Sequence, residues 1–154
     1  KVNQSLCDNQ KSGHFITAFY GVVHLPTRRM KYVSAGHNPP LLIDYESGHV
    51  QELNTKKGFP LMIHCDNDLE EKEVELPLNS KLICYTDGLT EARGIDQEMY
   101  GLERLKQNAQ KMGKSMNAEN LGQELKINVQ TYLNGCDFID DFTLVILETQ
   151  ANTK

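Results

Sequence analysis

Two acidic positions are the strongest candidates for chemistry in this sequence. Asp87-Gly88 follows an apolar segment directly, and Asp140-Asp141 directly precedes another. Carboxylates at strand ends can project from a rigid scaffold into a cleft, where two or more of their oxygens can hold a hard cation such as Mg²⁺ or Mn²⁺. Gly88 would let the backbone turn sharply beside that cation. On pattern alone, the same residues also suit an ordinary Asp-Gly turn and a solvated cap before a strand.

One histidine is a further candidate. His37 lies in a Gly-His-Asn-Pro loop, where a catalytic or substrate role and simple bonding to the loop backbone both fit. No two of the other histidines are spaced i, i+4, the spacing with which a helix can bind a metal through two histidines. No serine lies in a nucleophile-elbow sequence. The sequence also has no glycine-rich phosphate loop. These patterns disfavour acyl transfer and nucleotide binding.

The elements that must position these residues follow from periodicity. Alternating or β-branched segments predict strands, and leucines at helical spacing predict two amphipathic helices, the second ended by Asn134-Gly135. Strands come first, then the helices, then a closing strand, which indicates an α+β fold with mostly antiparallel sheet. The predicted strands are 15–25, 30–35, 41–45, 49–53, 71–76, 81–86 and 142–147, and the predicted helices begin near Leu102 and Ala118.

Composition excludes several classes of function. The net charge is −5, the pI is near 5.5, and the only dense basic spots are Arg28-Arg29 and Lys56-Lys57, which disfavours binding of DNA or RNA. No apolar run reaches the length of about 20 residues that spans a bilayer. The four cysteines have no C-x-x-C spacing and are too sparse for a disulfide scaffold, so we expect reduced thiols and a cytoplasmic protein.

Several ordered motifs resemble one known family. The segments SAGHNPPLL, YTDGLTEA, YGLERL and DDFTLV, which follow the strand FITAFY, are similar to signatures of the SpoIIE/RsbU-type branch of the PPM (protein phosphatase 2C-like) family. Any one of them alone would be weak, whereas their shared order is specific. They occupy residues 34–42, 85–92, 100–105, 140–145 and 15–20.

The resemblance implies a layered sandwich of antiparallel sheets flanked by helices, with a two-metal site for Mn²⁺ or Mg²⁺ at one end. It implies hydrolysis of phosphoserine or phosphothreonine by a metal-activated water, which needs no protein nucleophile. Asp87 and Asp140 would bind one metal, with Gly88 and Asp141 as supporting neighbours. His37 and Asn38 would lie at the rim of the site. Residues 89–104 would correspond to a helical switch region.

The sequence departs from the family in one respect. An aspartate in the N-terminal strand and an Asp-Val-x-Gly-His-Gly-like motif are not found. We therefore expect residues 1–154 to be a single partial phosphatase domain without its N-terminal part. In it, residues 1–14 would be the end of a preceding helix and a loop, 15–148 the core and 149–154 a tail.

Two hypotheses follow from that departure. The chain is either the C-terminal part of an active phosphatase, inactive by itself, or a catalytically inactive regulatory module that binds a partner. The branch resemblance suggests a phosphorylated regulatory protein as substrate, such as an anti-sigma-factor antagonist. Sheet edges left uncovered by a missing half also predict a homodimer.

Overall fold

The computed structural model describes residues 1–8 and 13–150, which form two compact units. The first unit comprises Lys1–Pro39 and Asn54–Leu76, and the second comprises Pro40–Leu53 and the chain from Pro77 onward. The helices are α1 (Val2–Asp8), α2 (Asp87–Thr90), α3 (Leu102–Gly113) and α4 (Ala118–Leu133). The strands are β1 (Ala18–His24), β2 (Arg29–Ala35), β3 (Leu41–Asp44), β4 (Val50–Glu52), β5 (Lys72–Glu75), β6 (Ser80–Tyr85) and β7 (Leu144–Glu148).

The first unit contains a three-stranded antiparallel sheet in the order β1-β2-β5. β1 and β2 form a hairpin whose register pairs Ala18 with Ala35 and His24 with Arg29. Its turn is held by a 2.7 Å hydrogen bond between the His24 ring and the Thr27 hydroxyl. The predicted strand began earlier, at Phe15, but residues 15–17 precede the ladder with β2, and Ile16 instead forms an isolated β-bridge with Leu61 of a loop.

Helix α1 is bound to a distant loop of the same unit. The Asn3 side-chain amide donates to the carbonyls of His64 (2.8 Å) and Cys65 (3.0 Å), and its oxygen accepts from the Met62 N–H (2.8 Å). One side chain therefore satisfies three backbone groups of this loop. A helix of only seven residues is too short to be stable alone, so these contacts help to hold it in place.

A disulfide joins the same two elements. Cys7 of α1 and Cys65 are bonded, with their Cα atoms 5.9 Å apart. The expectation that all cysteines are reduced thiols is therefore wrong for this pair. The two residues are separated by 58 positions, and sequence spacing of that size carries no information about their distance in the fold. The other two cysteines are free thiols: Cys84 and Cys136.

The second unit contains the other sheet and the longer helices. Its four antiparallel strands run in the order β4-β3-β6-β7. The two predicted helices are confirmed, and α4 covers the predicted range. Asn117 caps α4 by accepting the Asn120 N–H at 2.8 Å, and Asn134 ends it in a left-handed conformation (φ 49°), as expected of a C-terminal cap.

The core of this unit lies between one face of the sheet and the helices. Residues four apart on α4 are all buried, which is the periodicity that predicted the helix. Full burial of each leucine or valine side chain contributes about 1.5–3 kcal/mol. The α4 residues are Leu121, Leu125, Val129 and Leu133, and they pack in one cluster with Leu41, Ile43, Ile83, Tyr85, Leu89 and Leu105.

A buried cation lies in this core region. Lys81 of β6 is only 4% exposed, and its Nζ is 3.0 Å from Glu148 Oε1 and 3.0 Å from the Gly113 carbonyl oxygen. The ammonium also lies 4.6 Å from the centroid of the Tyr45 ring. Charges are tolerated at such burial only when they are paired and hydrogen-bonded, and Lys81 meets both conditions.

The prediction of an α+β fold with antiparallel sheets and helices is confirmed. Of the predicted tail, 151–154 lies outside the described residues, while Thr149 continues past β7 and donates its N–H to Ser80 O at 3.0 Å. Residues 9–12 of the predicted N-terminal loop also lie outside the residues that the structure describes. Among the described helices, none is long and apolar enough to cross a membrane.

Candidate metal site

The two predicted acidic positions meet where β6 ends and β7 begins. The antiparallel register places Tyr85 opposite Leu144, so the segment that leaves β6 runs beside the segment that enters β7. Thr86 N–H donates to the Thr143 carbonyl at 3.1 Å, which extends the ladder by one pair. The sequence predicted this strand from Phe142, but regular pairing starts only at Leu144 because side-chain bonds replace the ladder there.

Thr86 supplies those side-chain bonds, and sequence reasoning missed it. Its Oγ1 donates to the Asp141 carbonyl (2.9 Å) and accepts the Thr143 N–H (3.0 Å). One hydroxyl therefore fastens the Asp140-Asp141 segment to the end of β6. A threonine immediately before an Asp-Gly pair at a strand end was the available signal, because its short hydroxyl can bond nearby backbone.

Gly88 lies against the Asp140-Asp141 backbone. A Cβ built at this glycine would be 3.0 Å from the Asp140 carbonyl oxygen and closer still to that of Asp141. The sequence predicted that Gly88 permits a sharp turn, and this reason is wrong. Gly88 lies in the short helix α2 and is not among the positive-φ glycines, so the site needs it for close approach and not for its turn conformation.

The carboxylates of Asp87 and Asp140 are each oriented by one local bond. Asp87 Oδ1 accepts the Gly88 N–H at 3.2 Å, and Asp140 Oδ1 accepts the Asp141 N–H at 2.7 Å. Within the described residues, no donor reaches the Oδ2 atom of either side chain. Both aspartates and Asp141 are exposed. Each of the two therefore has one oxygen held by the backbone and one available to a ligand.

A cleft of about 220 Å³ adjoins these residues. Its lining includes Asp140 of the predicted pair and the close-packed Gly88. It also includes Arg93, a cationic residue that the sequence analysis did not identify as a candidate. The signal for Arg93 was its position six residues after Asp87, within the Glu-Ala-Arg continuation of the YTDGLTEA motif. The lining residues are Gly88, Glu91, Ala92, Arg93, Ile139 and Asp140.

The oxygens present suit a hard divalent cation, but they form only part of a coordination shell. Among residues 1–8 and 13–150, no three His, Cys, Asp or Glu side chains gather as a metal-binding group. Mg²⁺ is bound in many proteins by one or two carboxylates and retains its remaining waters. The segments that carry Asp87 and Asp140 lie side by side. A shared site for one hydrated ion on these two carboxylates stays a prediction, and a two-metal site would need further ligands.

The buried tyrosine beside the site does not act as a base. Burial, and secondarily the Glu52 carboxylate, raises the pKa of Tyr85 to about 12, against a smaller opposing effect of Lys106. The phenol therefore stays protonated at neutral pH. Tyr85 is 3% exposed and packs in the core cluster, where it supports the end of β6.

The predicted rim residues lie in the first unit. His37 Nδ1 is 3.3 Å from the Thr17 hydroxyl oxygen, and the His37 carbonyl accepts a 3.4 Å bond from Ser34. Asn38 follows, half-buried like His37. These contacts fit a histidine that organises its own loop. A role for either residue at the rim of the metal site stays a prediction.

The segment predicted as a switch region contains two well-connected parts. α2 is the first, and it is too short to be found from periodicity. The second is a hairpin-like loop in which the backbones of Arg93 and Met99 form an isolated antiparallel β-bridge. Tyr132 of α4 fastens this loop by donating to the carbonyls of Glu98 (3.1 Å) and Met99 (3.2 Å), while the Arg104 guanidinium lies 4.8 Å from the Tyr132 ring.

Replacing Gly88 with alanine should disrupt the site. The added methyl group would overlap the carbonyls of Asp140 and Asp141, so we expect a loss of about 1–3 kcal/mol in unfolding free energy. Mn²⁺ binding should weaken in parallel, because the displaced segment carries a predicted ligand. Urea denaturation and Mn²⁺ titration measure the two effects.

Gly122→Ala is the matched control for that substitution. Gly122 is also helical, but its added Cβ would make only an ordinary 3.8 Å contact with Ile146. We expect it to be neutral or to stabilise by about 0.5–1 kcal/mol. Equal behaviour of the two variants would contradict the close-approach role of Gly88.

One relative with a described activity matches nearly the whole chain. The phosphoserine phosphatase RsbU of Bacillus subtilis is 28% identical over 152 residues, which is 97% of this chain and 44% of RsbU. The chain therefore spans less than half the length of this relative.

Solved structures give the same fold. The SiaA-PP2C domain of Pseudomonas aeruginosa superposes with a TM-score of 0.82 at 19% identity, over 96% of this chain and 58% of that domain. The manganese-presoaked phosphatase domain of the cell fate determinant SpoIIE from Bacillus subtilis superposes with a TM-score of 0.72 at 17% identity, over 97% of this chain and 64% of that domain. The family model described as Stage II sporulation protein E (SpoIIE) matches residues 1–150, and the chain belongs to that family.

Proposed function

We propose that this chain is part of the catalytic domain of a metal-dependent protein serine/threonine phosphatase. The observation that carries the proposal is the junction of β6 and β7, where Thr86 and Gly88 bring the Asp87 and Asp140 segments together. Similarity to the phosphoserine phosphatase RsbU supports this class of reaction. The fold shared with PP2C-type phosphatase domains agrees with it.

Each residue of the junction has a distinct part in this proposal. Asp87 and Asp140 would hold Mn²⁺ or Mg²⁺ through carboxylate oxygens, while Gly88 and Thr86 position them. A bound divalent ion supplies an activated water and stabilises charge on the phosphoryl group. Asp141 holds the loop through its backbone: its carbonyl accepts from Thr86 and its N–H orients Asp140. His37 and Asn38 remain candidates for the rim.

The proposed substrate is a phosphorylated regulatory protein. RsbU is a phosphoserine phosphatase, and another structural match joins RsbU and RsbW domains in a Mycobacterium tuberculosis protein, with a TM-score of 0.79 at 20% identity. An anti-sigma-factor antagonist carrying phosphoserine is therefore the substrate to test first. The cytoplasm is the proposed location of the reaction, and a homodimer remains a prediction.

Turnover of a phosphoserine peptide with Mn²⁺ tests the proposal. We expect the full natural protein that carries this sequence to hydrolyse it, with activity lost on chelation by EDTA. We expect residues 1–154 alone to turn over little, because no three metal-ligand side chains gather among the described residues. Robust activity of residues 1–154 would contradict this account of the ligands, and an inactive full protein would contradict the phosphatase itself.

A second candidate is a regulatory module that keeps the scaffold without catalysis. The absence of a three-ligand metal group among the described residues favours it. The genomic sequence upstream of Lys1 discriminates the two. Two further aspartate motifs encoded there support the phosphatase, and a start codon without them supports the module.

A further inference from the structure

We propose that Arg93 is the residue that binds the phosphoryl group of the substrate in this site. The inference rests on the proposed phosphatase function. Arg93 would contact the substrate directly in the cleft that contains Asp140, and the class of ligand is a phosphate monoester dianion.

Arg93 lies in the same cleft as the predicted metal ligand. Arg93, Gly88 and Asp140 all line the space of about 220 Å³, and Glu91 is a second acidic residue of the lining. Arg93 is half-buried as a residue, and the hydrogen bond of its guanidinium is exposed, so the group is accessible to a ligand from solvent. A phosphoryl group next to a metal held by Asp140 would therefore be within the space that Arg93 lines.

The guanidinium is oriented before a ligand binds. Arg93 Nη1 donates to the Gln97 carbonyl at 2.8 Å. The loop that provides this carbonyl is closed by the Arg93–Met99 bridge and by a 3.2 Å bond from Gly94 N–H to Glu98 O. A side chain held in this way loses less rotamer freedom on binding than a free arginine does.

Arg93 has no ion-pair partner among the described residues, although Glu91 and Asp140 line the same cleft. Every other arginine of the chain forms at least one ion pair: Arg28 with Glu75, Arg29 with Glu73 and Arg104 with Glu98. A guanidinium has five N–H donors, and the structure uses one of them here. The remaining donors match the geometry of a phosphate, which arginine can bind in a bidentate manner.

Binding of inorganic phosphate to the full natural protein with saturating Mn²⁺, measured by isothermal titration, tests this role. Arg93→Ala should weaken phosphate binding about tenfold or more, and Arg93→Lys should fall between it and the wild type because it keeps the charge without the fork. Mn²⁺ affinity should stay within about twofold in both variants. With a phosphoserine peptide, KM should rise more than kcat falls.

Arg29→Ala is the matched control. Arg29 is an arginine of the first unit, exposed and paired with Glu73 at 2.6 Å, and its loss should leave phosphate binding unchanged. Phosphate binding by Arg93→Ala that matches the wild type would overturn the inference, as would a wild-type protein that binds no phosphate.

The inference and the proposed function fail in different ways. If Asp140→Asn loses Mn²⁺ binding while Arg93→Ala still binds phosphate normally, the role of Arg93 is wrong and the metal assignment stands. If Asp140→Asn keeps both Mn²⁺ affinity and turnover, the assignment of Asp140 as a metal ligand is wrong, independently of the result for Arg93→Ala. A melting temperature of each variant within a few degrees of that of the wild type would show that all the proteins compared are folded.

Discussion

Asp140→Asn in the full natural protein is expected to reduce Mn²⁺-dependent turnover by more than about 100-fold. Loss of residues that only support a metal ligand typically costs about 10- to 100-fold, so loss of a direct ligand should exceed this range. Asparagine keeps the Oδ1 atom that accepts the Asp141 N–H, so the loop should retain its conformation. Steady-state kinetics with a phosphoserine peptide across a Mn²⁺ titration measures the effect.

Asp137→Asn is the control that separates a ligand from a general charge effect. Asp137 is an exposed carboxylate in the same loop that leads into β7, and it does not line the cleft. Its neutralisation should leave turnover within about twofold. Asp87→Asn should reproduce the loss seen with Asp140→Asn. Unchanged turnover in either ligand variant would show that the assignment of that aspartate is wrong.

Glu148→Gln is expected to lower the unfolding free energy by about 3 kcal/mol at neutral pH. The substitution leaves the ammonium of Lys81 nearly fully buried without its counter-charge, and removal of one partner of a buried pair typically costs about 3–5 kcal/mol. The lower end applies because the Glu148 side chain keeps 18% exposure. Urea denaturation of residues 1–154 measures the difference.

The same pair gives a signed dependence on pH. Burial alone would raise the pKa of Glu148, but hydrogen bonds from Lys81 and the Ala118 N–H outweigh it and the net pKa is lowered from 4.5. A lowered pKa in the folded state contributes stability above the unfolded value, and this stability is lost as pH falls through the folded value. The difference between wild type and Glu148→Gln should therefore be full at pH 7 and shrink below about pH 4.5.

Two further variants make the interpretation specific. Glu119→Gln removes an exposed carboxylate at the start of α4 and should change stability by less than about 0.5 kcal/mol. Lys81→Met combined with Glu148→Gln should recover much of the loss, because no unpaired ammonium remains in the core. A double variant as unstable as Glu148→Gln alone would show that the ion pair is not the source of the effect.

The family and most elements could be predicted because they depend on local pattern. The spacing of Leu121, Leu125, Val129 and Leu133 predicted both the limits of α4 and its buried face. Alternation predicted the hairpins, where each ladder joins strands close in sequence. The ends of strands were less well predicted: the strand expected from Phe15 begins at Ala18, since its first residues have no partner in β2.

The cysteine pair and the switch segment show the limit of such patterns. Cys7 and Cys65 are joined although nothing in their spacing indicates a bond. The four-residue helix α2 is shorter than the period needed to detect it. Contacts between residues distant in the chain decide both features, and those contacts have no local signature.

The sequence by itself determined the residue types of the candidate site: two aspartates at strand ends, and the glycine beside one of them. Only the tertiary structure decided how they are held. The pairing of β6 with β7 brings positions 87 and 140 to one junction, the Thr86 hydroxyl fastens it, and Gly88 is needed for close packing and not for a turn. Likewise, only the structure placed Arg93 in the cleft with Asp140. A cleft is formed by segments far apart in sequence, so its lining becomes visible only once the strands are paired.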